Sequence, residues 1–335
     1  MPVPPGVRSL ARDPVVEALN ALVPGGAARG GVRIGERTVR WVEAGEGAPT
    51  VVLAAGRNDT AISWTPVLAA LAAQTRVVVY DRAGLGASDP DPGPGPPTVD
   101  RQVADLAAVA GTTAAGPCVL AGHSWGGLLA QVLAYRHPEL VAGLVLVDPA
   151  HEDMMNGVPG PVRRLSLLLS EHLPSVLLAL GLLRPAVRRQ ARRTAARFSD
   201  DPRVQRAVVE AYLVHAGRTQ VRATRDELRG IVASAPLLWE HRAAVSSQAS
   251  DIPLVVLSAT RGSPPRLRQH WTRLQAGIVA AAGPGRARHL VVEDAGHTIH
   301  HDRPDLVAGV ILEVVDQVRR APGPGGPGSP PPSSS

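Results

Sequence analysis

Between residues 50 and 147, short apolar runs alternate with stretches of helical periodicity, and this alternation restricts the fold more than any other feature of the chain. The runs at 50–54, 76–80, 118–121 and 143–147 are built from Val, Leu and Ala with little polar interruption. Strands that alternate apolar and polar residues bury one face, whereas continuous apolar runs bury both. Helical patterns at 64–73, 99–110 and 125–136 separate the runs. Strand, helix and strand in that rhythm predict parallel pairing with crossover helices, a mostly parallel central sheet in an α/β domain with helices on both faces. The segment 32–43 reads instead as a hairpin-like pair that forms the first edge of the sheet, with Val39, Trp41 and Glu43 alternating against Arg40 and Val42.

After residue 150 the rhythm stops. No strand pattern is found until 253–258, and another follows at 289–293, each leading into helical sequence. The chain therefore divides into a Pro- and Gly-rich mobile arm at 1–30 with a short amphipathic piece at 14–23, the first part of the core at 31–150, a helical insertion or cap at 151–249, the second part of the core at 250–320, and a disordered Pro-, Gly- and Ser-rich tail at 321–335. Within the insertion, the leucine-rich stretch 165–183 is expected to pack in the insertion's own core, with cover for an apolar substrate or contact with a membrane as the alternatives, and the arginines from 184 to 206 are expected to form a solvated face. Met154 and Met155, at the start of the insertion, are placed to line a pocket.

Composition removes several function classes. The formal charge is +6, but the chain has no Lys, and Ala, Arg, Pro and Gly dominate. That bias reads as the product of a GC-rich bacterial genome, with basicity spread rather than gathered on one face, so no nucleic-acid partner is expected. Cys118 is the only cysteine and should lie buried in a strand, which removes intrachain disulfides and cysteine metal clusters. The N-terminus lacks the apolar core of a signal peptide, and the strongly apolar uncharged run 173–183 is too short to span a bilayer. A cytoplasmic protein without membrane contact is the expectation.

The chemistry centres on Gly122-His123-Ser124-Trp125-Gly126, where an apolar run halts at a serine between glycines and gives way to a helical pattern. A serine on a sharp strand-to-helix turn sits in a strained backbone, and only small residues two positions either side let the turn close. Ser124 is then a candidate nucleophile. A serine hydroxyl needs a base within hydrogen-bond reach, most often a histidine oriented by a carboxylate. Of 11 histidines, His297 lies in a short glycine-bearing loop just past the final strand, on the rim that carries Ser124. His300 and His301 follow it closely but fall where the closing helix begins, and His123, pointing off the elbow, reads as a packing residue. The orienting acid must be buried at the carboxyl end of the sheet, which fits Asp148, with Glu152 and Asp153 as alternatives. Asp251 lies at the wrong end of its strand. Two N–H donors are needed for an oxyanion, and the Trp125 amide at a helix N-terminus and the Arg57 amide after Gly56 supply them. Gly84-Leu85-Gly86 lacks the third glycine of a phosphate loop and reads as a tight turn.

Four motifs together resemble the α/β-hydrolase fold over about residues 31–320: Ala54-Ala55-Gly56-Arg57, Asp81-Arg82-Ala83-Gly84-Leu85-Gly86-Ala87-Ser88, the Ser124 elbow, and Asp294-Ala295-Gly296-His297. The resemblance implies a serine hydrolase with His297 as base and no metal or organic cofactor. The sequence departs from the family in two places. The loop 259–266 holds no acid where many relatives carry one, and the resemblance offers Asp148, at the rim position used by a minority. Ala55-Gly56 also stands where many relatives have His-Gly. The implied function is cleavage of a small or medium apolar ester or related acyl bond. Alternatives are perhydrolase, C–C hydrolase, thioesterase or acyltransferase chemistry on the same triad, or a catalytically idle ligand-binding protein. An Asp in place of Ser124 would have indicated an epoxide hydrolase or dehalogenase.

Overall fold

The structure, a computed structural model, describes residues 14–321 apart from 24, 157, 246–251, 283, 284 and 286. Residues 1–13 and 24 of the expected arm, nearly all of the expected tail, and Asp251 therefore lie outside the described residues. Eight strands form one sheet: β1 (Ala28–Ile34), β2 (Arg37–Ala44), β3 (Val51–Ala54), β4 (Val77–Tyr80), β5 (Cys118–His123), β6 (Val141–Val147), β7 (Leu254–Ala259) and β8 (Ala287–Val292). Their spatial order is β1-β2-β4-β3-β5-β6-β7-β8. β2 runs antiparallel to β1 and β4, and the remaining pairings are parallel. The hairpin expected at 32–43 forms the sheet edge and begins at Ala28, four residues earlier than its apolar alternation indicates.

Eleven α-helices are described: α1 (Pro14–Asn20), α2 (Thr65–Ala72), α3 (Val99–Thr113), α4 (Ser124–Arg136), α5 (Gly160–Ala179), α6 (Leu183–Phe198), α7 (Pro202–Tyr212), α8 (Arg218–Val245), α9 (Pro265–Ala281), α10 (Ile299–Asp302) and α11 (Pro304–Arg320). Successive residues of the inner strands feed two separate cores. Val51, Leu53, Val77, Val79, Val119 and Leu257 meet α2 and α11 on one face. Val52, Val78, Tyr80, Leu120, Leu146 and Val256 meet α3 and α4 on the other. Every residue of β3, β4, β5 and β7 is buried, which is why these runs show no polar alternation. Each fully buried Val or Leu contributes about 1.5–3 kcal/mol. Cys118 is buried at the start of β5.

The sheet's strand order reverses around β3 and β5, and the crevice at the carboxyl ends of strands about such a point is where ligands bind in open α/β sheets. Ser124, Asp148 and the loop 55–58 all follow strands at that edge. Between β6 and β7 every α-helix described, α5 to α8, belongs to the insertion.

One expectation for the insertion and one for the whole chain are corrected. Of the 165–183 leucines only Leu183 is buried, and no residue of α5 is. A small cluster around Leu183, Ala216 and Val221, with Leu177 and Leu178 against it, and an ion pair between Glu171 and Arg229 tie α5 to its neighbours. An amphipathic stripe reads the same in sequence whether it faces a core or water, so periodicity could not distinguish them. Nor is the basicity evenly spread. Residues 160–198 hold eight of the 35 basic residues and one of the 29 acidic ones, a net +7, which leaves −1 for the rest of the chain.

Candidate active site

β5 delivers Ser124 onto the first position of α4 with φ of +50°, in the left-handed region that side chains other than glycine rarely adopt. The turn closes because of its glycines. A Cβ on Gly122 would lie 2.6 Å from Gly127 Cα, and one on Gly126 would run into the carbonyl oxygens of Ala54 and Ala55. The helix that starts at Ser124 leaves its first N–H groups without intrahelical acceptors, the Trp125 amide among them. The Trp125 indole is buried and donates to Gln102 Oε1 at 2.9 Å, which fixes that first turn against α3.

β6 delivers Asp148, also at positive φ (+41°) and completely buried. Both carboxylate oxygens are fully used. Oδ1 accepts the Ala259 N–H at 3.1 Å and Gln275 Nε2 at 3.0 Å. Oδ2 accepts from Arg268 Nη1 at 2.9 Å and from His297 Nδ1 at 2.7 Å. Burial alone would raise the pKa of Asp148, but the hydrogen bonds and charges of His297 and Arg268 outweigh it and lower the pKa to about 2. The carboxylate is therefore ionised near neutral pH. It reaches from β6 across to the terminal amide of β7.

With Asp148 as acceptor, His297 carries its proton on Nδ1 and leaves Nε2 as the basic nitrogen. Its loop is held from behind by His123, whose Nε2–H donates to the His297 carbonyl at 2.9 Å with the two ring centroids 4.7 Å apart. Burial, with His297 nearby, holds His123 well below the usual imidazole range, so it is neutral and structural, as expected of a packing residue. His300, also neutral through burial, is stacked 4.7 Å from Trp64, and His301 bonds the Ser63 carbonyl at 2.8 Å. Both belong to packing around α10 rather than to the rim.

Asp148 and His297 are thus joined directly, and Ser124 is adjacent in sequence to the His123 that braces His297. Among the described residues the Ser124 hydroxyl has no hydrogen-bond partner, and no bond joins it to His297. Catalytic hydrogen bonds are often long in ligand-free enzymes and tighten with substrate bound. Glu152 and Asp153 lie in a 3₁₀ turn (Glu152–Met155) where Asp153 accepts from Asn156 at 2.6 Å, and neither is paired with His297. Met154 contributes its carbonyl to the Trp271 indole at 2.9 Å.

The loop 55–58 is held by a group that sequence reading quoted but gave no role. Arg82, buried, donates from Nη1 to the Ala55 carbonyl at 2.6 Å and from Nη2 to the Gly56 carbonyl at 2.7 Å. Because a trans peptide is planar, a Gly56 carbonyl aimed at Arg82 turns the Arg57 N–H the opposite way. The Cα of Gly56 faces the elbow: a Cβ there would be 3.4 Å from Ser124 Cβ. Arg82 is in turn paired with Glu227 of α8 (Nε to Oε1, 2.6 Å), whose Oε2 accepts the Asn58 N–H at 2.9 Å. Thr224 donates to Asn58 Oδ1 at 2.5 Å, and Gln220 accepts the Gly86 N–H at 3.0 Å. The insertion therefore grips the loop and the tight turn at 84–86 through one polar face of α8.

Sequence reading missed Arg268, Gln275 and Glu227. The first two are seven residues apart on α9 and share a face. Gln220, Thr224, Glu227 and Ser234 make a buried polar stripe along α8 at helical spacing. That stripe was readable as a pattern, but not its partner. Among the described residues the one group of three metal-capable side chains whose ligand atoms come within 4.8 Å of one another is His151, Glu152 and Asp153. His151 Nδ1 accepts the Asp153 N–H at 3.1 Å and so caps the 3₁₀ turn at Glu152–Met155.

Residues 51–310 match the family model described as alpha/beta hydrolase family. Among curated proteins, the chain is 36% identical over 104 residues to a putative carbamate hydrolase, RutD, of Azorhizobium caulinodans, a match covering 31% of this chain and 38% of that one. It is 32% identical over 123 residues to Epoxide hydrolase 4 of Mus musculus, covering 36% and 34%. The match thus spans little more than a third of the length of these relatives. The crystal structure of Cfl2 from Burkholderia cenocepacia shares the fold, with a TM-score of 0.68 at 24% identity over 87% of this chain and 96% of that one.

Proposed function

The chain belongs to the alpha/beta hydrolase family, and on that premise we propose that it is a serine hydrolase acting on a small or medium apolar ester or related acyl bond. Ser124 Oγ attacks the acyl carbon while His297 Nε2 takes its proton. Asp148 keeps the imidazole in the tautomer that exposes Nε2 and offsets the charge as the ring becomes imidazolium. The Arg57 and Trp125 amides receive the oxyanion, each such donor worth about 3–4 kcal/mol. Collapse expels the alcohol with the proton held by His297. Water, deprotonated by the same ring, then attacks the acyl-enzyme and frees Ser124. The helical insertion acts as the cap over this site.

The observation that carries the reading is the 2.7 Å bond from His297 Nδ1 to an ionised, buried Asp148, on the rim where Ser124 sits at φ +50°. A carboxylate nucleophile, as an epoxide-opening mechanism would use, is absent from that elbow position, which favours acyl chemistry. One observation favours a second reading, a catalytically idle ligand-binding member: Arg268 shares Asp148 Oδ2 with His297 and already neutralises it. A panel of p-nitrophenyl esters of graded acyl length separates the two. Acyl transfer gives turnover that peaks at a short or medium chain and vanishes in Ser124→Ala, whereas equal, slow release by both proteins would remove the hydrolase reading.

A further inference from the structure

α5 carries its apolar stripe outward. Val162, Leu165, Leu169, Leu173, Val176 and Leu180 recur at spacings of three and four residues, so they line one face of the helix and its exit, and each is between 46% and 64% exposed. The face is about 30 Å long for a 20-residue helix. Soluble monomers rarely leave contiguous apolar surface of that extent uncovered. What holds α5 to the molecule lies elsewhere on it, through Leu177 and Leu178 and an ion pair between Glu171 and Arg229 at 2.7 Å.

The charge beside it is of one sign. α6 turns away from α5 by 109° and contains six arginines and no acid. Its buried residues are Leu183, Ala191 and Ala195. Arg188 and Arg197 meet Glu210 and Asp302 at 3.8 Å and 3.4 Å. Among the described residues Arg184, Arg189, Arg192 and Arg193 have no acidic partner and are exposed. With Arg163 and Arg164 at the start of α5, the pair carries the net +7 that exceeds the charge of the whole chain.

An exposed apolar helix flanked by unpaired arginines matches a surface that is apolar below and anionic above. We propose that the α5–α6 pair docks on an anionic lipid bilayer, with the α5 stripe sunk to the level of the acyl boundary and the arginines on the headgroups. No single described helix is long and apolar enough to cross a membrane, and the pair is sharply bent, so it lies in the interface. This reverses the expectation that the chain makes no membrane contact. The leucines set it apart from nucleic-acid binding, which needs the cations alone. The proposal is independent of whether Ser124 is a nucleophile.

Co-sedimentation with vesicles of phosphatidylcholine alone, or with a minority of phosphatidylglycerol, tests it directly. The wild-type chain should sediment with the anionic vesicles and not the neutral ones, and less as salt rises. The Arg192→Ala, Arg193→Ala double variant should partition about 25-fold more weakly, about fivefold per arginine. Leu165→Ser with Leu169→Ser should abolish sedimentation, while both variants keep the wild-type circular dichroism melt because the changed side chains are exposed. A wild-type chain that stays in the supernatant with anionic vesicles overturns the proposal. It is equally overturned if the leucine variant binds as well as wild type while duplex DNA competes, or if that variant turns a dimer into a monomer on size exclusion.

Discussion

At the scale of single residues, Asp148 is the most constrained group at the rim. Its four hydrogen bonds come from β7, α9 and the His297 loop. Asp148→Asn removes the acceptor that fixes the His297 tautomer, so kcat for ester turnover should fall by about 10⁴-fold, whereas Asp153→Asn should leave it within about twofold, since half-buried Asp153 serves a local turn with Asn156 and is not bonded to His297. The reverse ranking would move the acid to the insertion. The same carboxylate has a signature in stability. Its folded pKa, about 2, lies below the model-compound value of 3.8, so its contribution is present above pH 4 and is lost as pH falls toward 2. The loss is on the order of 2 kcal/mol. Urea melts of wild type should therefore weaken across that window more steeply than those of Asp148→Asn, which has no such proton to take up. Parallel profiles would contradict the buried, ionised assignment. Ser124 and His297 were legible because each sits in a local signature, a glycine-flanked elbow and a short loop after the last strand. Arg268 and Gln275 were not. Their role depends on α9 meeting the end of β6, 120 and 127 residues away in sequence.

At the scale of elements, the strands were legible and the insertion was not, for one reason. A strand buried on both faces must be apolar throughout, so β3, β4, β5 and β7 declare themselves without knowledge of their neighbours. A helix needs only a stripe, and a stripe does not say what it meets. The stripe of α8 is polar and buried against the 55–58 loop; the stripe of α5 is apolar and exposed. Each reverses the usual reading. The α8 contact has a kinetic consequence. Glu227 holds Arg82 and the Asn58 amide, and so sets the peptide that presents the Arg57 N–H. Glu227→Ala should lower kcat by about 10²-fold with KM little changed, the pattern of a donor lost only in the transition state. Breaking the buried pair should also cost about 3–5 kcal/mol of stability. Glu227→Gln, which keeps the acceptor for Asn58, should recover part of kcat. A variant that melts early yet turns over at the wild-type rate would reduce Glu227 to a structural residue.

At the scale of the whole molecule, the sheet converges three distant strand ends on one rim: β5 with Ser124, β6 with Asp148, and β8 with the loop to His297. The insertion closes on that rim from above through α8 and turns a basic, leucine-lined face outward through α5 and α6. The overall charge of +6, which reads as a uniform property of composition, is in fact carried by one protruding pair of helices. Total composition is blind to such placement; the linear sequence gathers the charge at 160–198, and the fold makes that segment a helix pair with exposed arginines. Everything chemical in this arrangement depends on Ser124 being a nucleophile activated by the His297–Asp148 pair. The most direct measurement is reaction of the purified chain with a fluorophosphonate, followed by mass mapping of the modified peptide. One phosphonyl group on Ser124, with labelling lost in Ser124→Ala and strongly slowed in His297→Ala, is the expected result; a chain that stays unlabelled, or labels equally without Ser124, would contradict it.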